Sequence, residues 1–310
     1  MPHATDFQAR FERRWGHLTR PPVRALAWLL DAPDLLDPAS MHWGGRIATL
    51  GPVTPGVAGW LAALQLDPAP LDAALGNKFH SRLGLYAEKL MAFYFEQHGL
   101  LHAHGLQVQV NRNQTVGEFD FLLDLDDELV HWEFATKFYL LEGTPDGGVF
   151  HHLIGPNLAD TLGLKMRKIL AQQLALARHP AAQAMLSRPV QRAQALVKGW
   201  LFYELGKVQA IDGISQDHNH GFWCTAGQLP GQRYAILPKL QWPAPFKGDA
   251  VEVFDAAGLQ AKLADLVQPV LVAAVDHRDG WEVETARGFV VPQDWTEKAA
   301  VRRLEGALPA

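Results

Sequence analysis

Residues 117–140 read GEFDFLLDLDDELVHWEFATKFYL, and the alternation within them decides the fold class. Successive strand side chains face opposite sides of a sheet. In residues 117–124, Phe119, Phe121 and Leu123 therefore point one way, and Glu118, Asp120, Leu122 and Asp124 the other. In residues 131–140, Trp132, Phe134, Phe138 and Leu140 share one face, and His131, Glu133, Ala135, Lys137 and Tyr139 share the opposite one. Asp126-Asp127 between the two runs predicts a tight turn and an antiparallel hairpin. Each strand then presents an acidic face, with Asp120 and Glu133 side by side on neighbouring strands.

Upstream of the hairpin, residues 82–99 (RLGLYAEKLMAFYFEQHG) have Leu83, Tyr86, Leu90, Phe93 and Tyr94 at helical spacing, Glu88 beside that face, and Gly99 as a stop. A strand follows at residues 106–112 (LQVQVNR). Downstream, residues 158–179 (LADTLGLKMRKILAQQLALARH) predict a second helix, N-capped by Asn157 with Asp160 completing the capping pattern and ended by Pro180. Its buried stripe is Leu158, Leu162, Met166, Ile169, Leu170, Leu174 and Ala177, with Gln173 beside it. A strand lies within residues 195–205. The order helix, three strands, helix, strand predicts an α/β architecture, a mixed sheet flanked by helices.

Three regions emerge. Residues 1–80 read as short helices separated by Pro21-Pro22, Pro33, Pro38, Pro52, Pro55, Pro68 and Pro70 as connectors, since proline cannot continue a helix. Residues 81–205 are the α/β core. Residues 206–310 read as an α+β extension, with strands at 233–240, 251–254 and 280–292 and helices over 259–275 and 295–308.

The 310 residues carry 28 Lys+Arg against 33 Asp+Glu, a formal charge of −5. That excludes a protein that coats nucleic acid with its whole surface and leaves room for a local basic groove. With 48% hydrophobic and 20% charged residues the chain is not of the disordered class. The single cysteine, Cys224, rules out an intramolecular disulfide and any zinc site needing two thiolates, fits a cytoplasmic protein, and reads as buried filler. The first residues lack an apolar signal core, and no apolar run approaches the roughly 18 residues of a membrane span, so neither export nor a membrane partner is expected. No GxxxxGKS, GxGxxG or GxSxG motif supports a nucleotide-dependent enzyme or an α/β-hydrolase.

Two carboxylates as close as Asp120 and Glu133 repel unless a cation lies between them, and hard oxygen ligands suit Mg²⁺ or Mn²⁺. A divalent metal site is the functional reading. The bland reading is a solvated polar face, against which stand the apolar flanks of the hairpin and Glu88 on the preceding helix. Lys165, Arg167 and Lys168, with Arg112, form a basic cluster suited to phosphates, although a KMRK run also reads as an ordinary solvated helix face. His151-His152 and His218-x-His220 read as loop or core histidines rather than ligands. The tryptophans read mainly as core, with Trp223 and Trp242 the ones able to stack a base.

The ordered set GLYAEKLMAFYFEQHG, GLQVQVNR, GEFDFLLD and HWEFATKF resembles the metal-binding core of the PD-(D/E)XK nuclease superfamily, especially its small resolvase-like bacterial members. The wider chain, including HWEFATKFYL, GPNLADTLGLKMRKILAQQL and the Trp-rich tail, is similar to an uncharacterised bacterial family known as domain of unknown function eighteen-fifty-three. The nuclease resemblance covers roughly residues 80–205. It implies a PD-(D/E)XK-like fold, and Glu88, Asp120 and Glu133 as ligands of Mg²⁺ or Mn²⁺. It also matches Glu118 to the Glu of the Gly-Glu-x-Asp signature, and Gln173 or Gln172 to the glutamine many members carry on the second helix. The reaction implied is phosphodiester hydrolysis in nucleic acid. One position departs: where the family has lysine two residues after the third-strand acid, this chain has Ala135. Lys137 and Lys165 are equal candidates for the missing ammonium; if neither serves, the same fold acts as a catalytically inactive module binding nucleic acid or protein.

Overall fold

The computed structural model describes residues 6–76, 82–112, 114–143 and 149–307. The boundary expected near residue 80 lies outside them. Helices α1 (Asp6–Trp15), α2 (Pro21–Asp31), α3 (Pro55–Leu66) and α4 (Ala69–Leu75) precede α5 (Leu83–Gln97). Pro21 and Pro55 begin helices instead of merely joining them. The first helical position needs no N–H, and proline's fixed φ suits it.

After α5 come β1 (Leu101–Asn111), β2 (Gln114–Leu125), β3 (Glu128–Leu141), β4 (Leu153–Ile154), α6 (Leu162–Lys168), α7 (Pro180–Met185) and β5 (Arg192–Glu204). The chain continues through β6 (Asn219–Thr225), β7 (Arg233–Ile236), β8 (Lys247–Gly248), β9 (Val253–Asp255), α8 (Ala256–Lys262), β10 (Val270–Arg278), β11 (Trp281–Val291) and α9 (Trp295–Ala307). One mixed sheet runs β1, β2, β3, β5, β6, β11, β10, β7, β9, with β4 added to β3 and β8 to β11. The contacts of β5 with β3 and β6, and of β6 with β11, are parallel; the remaining pairs are antiparallel. The strands of the C-terminal third thus continue the sheet begun by the hairpin.

Helices cover both faces. Trp28 of α2, Leu90, Met91 and Phe95 of α5, and Trp132, Phe134, Phe138, Leu196 and Trp200 belong to one apolar cluster. On the opposite face Leu162, Met166 and Ile169 pack against Ala135, Tyr139, Ala195 and Val197. The alternation read for β3 is therefore the alternation observed. At β2 it slips: Phe121 and Leu123 join the first cluster, whereas Phe119 packs with Leu122 and Leu129 on the other face. The sequence places Phe119 with Phe121; the structure separates them because the β2–β3 ladder ends at Phe121 and Trp132. Beyond that point β2 keeps only β1 as partner, with His104 opposite Phe121, Leu106 opposite Phe119, and Gly105 between them at a left-handed φ of 62°.

Two other expectations change. The helix predicted over 158–179 begins only at Leu162, capped by Thr161, whose side chain accepts from the Leu164 N–H. Leu158 adopts a left-handed φ of 59°, and Asp160 bonds elsewhere. Pro180 opens α7 rather than closing a helix. The run VLVAAV, placed in a helix over 259–275, is strand β10. Its valines favour a strand buried on both faces, here between β11 and β7.

Candidate functional site

Asp126 and Asp127 have φ of 50° and 66°, the two positive values a tight two-residue hairpin turn requires. From that turn β2 and β3 pair from Leu125 and Glu128 as far as Phe121 and Trp132, and then separate. The next residues on each strand are Asp120 and Glu133. The Phe134 N–H that a continued ladder would satisfy donates instead to Asp120 Oδ2 at 2.9 Å. The carboxylate of Asp120 thus lies against the peptide that follows Glu133. On its other side β3 stays paired with β5, Glu133 opposite Ala195, so Glu133 is anchored in the sheet at the mouth of the split.

Glu133 is 1% exposed. Its Oε1 accepts a hydrogen bond from Gln173 Nε2 and lies 3.9 Å from Lys165 Nζ, and Lys165 also donates to Gln173 Oε1 at 3.3 Å. Glu133 Oε2 has no hydrogen-bond partner among the described residues. It stands 4.0 Å from His131 Nε2.

Lys165 and Gln173 reach the same carboxylate because the helix changes pitch between them. Residues Ile169–Gln173 form a π-helical turn, with the Leu174 N–H bonded to the Ile169 carbonyl five residues back. In a regular α-helix residues eight apart are about 80° out of phase. One residue absorbed by the π turn leaves them close to two whole turns apart, on one face. Such turns recur at functional sites.

Burial dominates the electrostatics. It pushes Glu133 up to about 8, helped by the neighbouring charge of Asp120 and opposed by Lys165. It likewise raises Asp120 to about 6, against the Phe134 N–H bond, with Glu88 adding to the rise. The Lys165 ammonium is lowered, first by burial and then by Lys137 and Lys168, with Glu133 and Asp120 holding it up. Burial holds His131 down at about 4, so its imidazole is neutral.

Glu88 on α5 is bound by His104 Nε2 at 2.8 Å, and its charge is felt by both carboxyls. Glu118 is exposed on β2, within 3.4 Å of Gln107 Nε2. Lys137 does not turn back: it bonds Asp160 Oδ2 at 2.8 Å, which also accepts from the Tyr139 hydroxyl at 3.1 Å. Gln172 is exposed, and Gln173 is the glutamine that meets Glu133. Arg167 and Lys168 are exposed on α6. Arg112 is exposed on the β1–β2 turn, about 20 Å of strand from Asp120. His131 shares Glu133's face but carried no role in the sequence reading, and its full burial has no signature in the residue string. His152 and His218 bond to Glu142 and Ser215 carbonyls, and the indoles of Trp223 and Trp242 donate to Leu141 and Leu237 carbonyls inside the core.

The donor set suits a divalent cation. Glu133 is buried and Asp120 half-buried, both carboxyls are pushed up, and one buried Glu133 oxygen lacks a donor. Mg²⁺ is ordinarily held by one or two carboxylates, the rest of its shell being water and substrate oxygens. Asp120 and Glu133 are the two carboxylates at the split that could hold it; no group of three or more His, Cys, Asp or Glu side chains able to hold an ion occurs among the described residues.

Fold and site define a mixed α/β protein with a carboxylate pair, lysine and glutamine where its sheet splits. Residues 24–291 match the family model described as a domain of unknown function, DUF1853, and the chain belongs to that family. No curated protein and no solved structure matches it. Among the described residues no helix is long and apolar enough to cross a membrane.

Proposed function

We propose that this protein hydrolyses phosphodiester bonds in nucleic acid, with Mg²⁺ or Mn²⁺ held by Asp120 and Glu133 on a core of PD-(D/E)XK type. The observation that carries this reading is the pair itself, a half-buried Asp120 and a buried Glu133 at the split of β2 and β3, with Lys165 and Gln173 closing over Glu133. When bound, the cation polarises the phosphate and lowers the pKa of a water. Gln173 fixes the orientation of the Glu133 carboxylate. Lys165, its Nζ 3.9 Å from Glu133, would hold the attacking water or the negative charge that develops on phosphate, taking the part of the lysine that Ala135 replaces. Water oxygen bonds to phosphorus and gives up a proton to solvent, the bond from phosphorus to the leaving oxygen breaks, and that oxygen takes a proton from solvent. Glu88 acts through its charge. Arg167 and Lys168 supply exposed cations for flanking phosphates.

A second reading keeps the fold and drops the chemistry. Ala135 is 5% exposed and packed in the core, and Lys137 is held by Asp160, so Lys165 alone must supply the ammonium. Without it the protein is a binding module for nucleic acid or protein. Incubation with single- and double-stranded DNA and RNA in Mg²⁺ or Mn²⁺ separates the two. Hydrolysis is expected, and Asp120→Asn and Glu133→Gln should each lower it at least about 100-fold. Cleavage that survives both substitutions sinks the assignment.

A further inference from the structure

Beside the carboxylate pair, on the same face of the sheet, lies a cavity of about 620 Å³. The π turn joins the two. Gln173 points to Glu133, while its neighbours Leu170 and Leu174 line the cavity. The floor reaches Ala193 of β5, which pairs with His131, two residues before Glu133 on β3. Two residues of strand are about 7 Å. That separation is comparable to the spacing of neighbouring phosphates along a polynucleotide strand.

The walls differ sharply from the rest of this acidic molecule. Arg46, Arg178 and Arg188 line the cavity and no carboxylate does. Arg188 is committed, paired to Asp124 and donating to the Asp127 carbonyl at 3.0 Å. Arg46 spends its Nε on the Trp43 carbonyl. Arg178 is exposed, and while its backbone N–H donates to the Ala175 carbonyl, its guanidinium has no hydrogen-bond or ion-pair partner among the described residues. Arginine presents a planar fork for phosphate oxygens, and its flat face can stack a base. Aliphatic surface from Leu170, Leu174 and Leu186 completes a chamber that is apolar on one side and cationic on the other.

We propose that this cavity receives one unpaired nucleotide next to the scissile phosphate, its base against the leucines and its phosphate on Arg178 and Arg46. The inference rests on the hydrolytic reading above for its neighbour, and it adds that the substrate is single-stranded or frayed where it is cut. A base inside a duplex is stacked and paired, and cannot enter a side chamber without being extruded.

The test is fluorescence anisotropy of a short labelled single-stranded oligonucleotide with the full chain in EDTA, so that binding is read without cleavage. Arg46→Ala/Arg178→Ala should bind at least about tenfold more weakly. Losing neutralisation of the nucleotide's one phosphate should flatten the slope of log K against log salt by about 0.7. Arg178→Glu, at an exposed site, should weaken binding by itself, whereas Arg278→Ala, on the far hairpin, should change nothing. A blunt duplex should bind more weakly than the single strand. Variants that keep wild-type affinity and salt slope, or a blunt duplex that binds as tightly as the single strand, would overturn the proposal. So would tight binding of adenosine monophosphate by a protein that ignores the oligonucleotide. If the arginine variants lose binding while wild type never cleaves, the cavity assignment stands and the hydrolytic reading falls. If wild type cleaves and the variants bind and cleave normally, the reverse holds.

Discussion

Glu133 keeps its proton in the folded chain because burial and the charge of Asp120 both oppose its ionisation. An acid whose pKa rises on folding, here from 4.5 to about 8, makes the folded state bind a proton that the unfolded state has released. The associated stability is fully present below the unfolded value and is lost as pH rises toward 8. Glu133→Gln removes this dependence. In EDTA the variant should melt above wild type at pH 8 and together with it near pH 4, by thermal unfolding followed with circular dichroism. A wild type no less stable than the variant at pH 8 would mean the carboxyl is better solvated than its burial implies. Lys165 and Lys137 separate at this scale too. Lys165→Ala should lower cleavage at least about 100-fold with little change in stability. Lys137→Ala should mainly loosen the Asp160 and Tyr139 bonds, costing about 1 kcal/mol in urea denaturation and leaving most activity. Equal loss of activity in both would remove the special place given to Lys165.

At the level of elements, α6 and the π turn after it decide which side chains meet Glu133. The helix starts where Thr161 caps it. Thr161→Val keeps the buried shape and loses the cap, so it should destabilise the protein by about 1 kcal/mol in urea. The hairpin was legible in the residues: Asp126-Asp127 announces its turn, and the alternation of Trp132, Phe134 and Phe138 against Glu133 and Lys137 announces β3. What could not be read is where pairing stops. Phe119 leaves the face of Phe121 because the ladder ends, a tertiary event with no mark in local alternation. The choice of Lys165 and Gln173 was hidden for a related reason, since α-helical periodicity puts residues eight apart out of phase and only the π turn realigns them. Valines in residues 270–275 had the β-branched signal of a strand, but a short apolar run alone does not separate strand from helix.

Across the whole molecule the three sequence regions meet on one sheet. Trp200 of β5 shows this. Its ring stacks on Trp28 of α2, carries the Arg287 guanidinium of β11 at 4.1 Å, and donates to the Pro243 carbonyl. Trp200→Ala should therefore cost roughly 3–5 kcal/mol, and urea unfolding followed by fluorescence and circular dichroism should remain one coincident transition. Two separated transitions would show that the C-terminal strands fold independently of the hairpin. The net charge of −5 takes on a different meaning here. Part of that formal count belongs to Glu88, Asp120 and Glu133, around a place where a cation would bind, while the arginine-lined cavity lies beside it on the same face.

The central claim is that Asp120 and Glu133 form a divalent cation site. Calorimetric titration of the full chain with Mn²⁺ at pH 7, repeated in two buffers of different ionisation enthalpy, tests it most directly. The account predicts saturable binding at one site with release of about one proton, because the cation displaces the proton held at Glu133. Binding should disappear in Asp120→Asn and in Glu133→Gln. Absence of any binding by wild type, or binding that releases no proton and survives both substitutions, would contradict it.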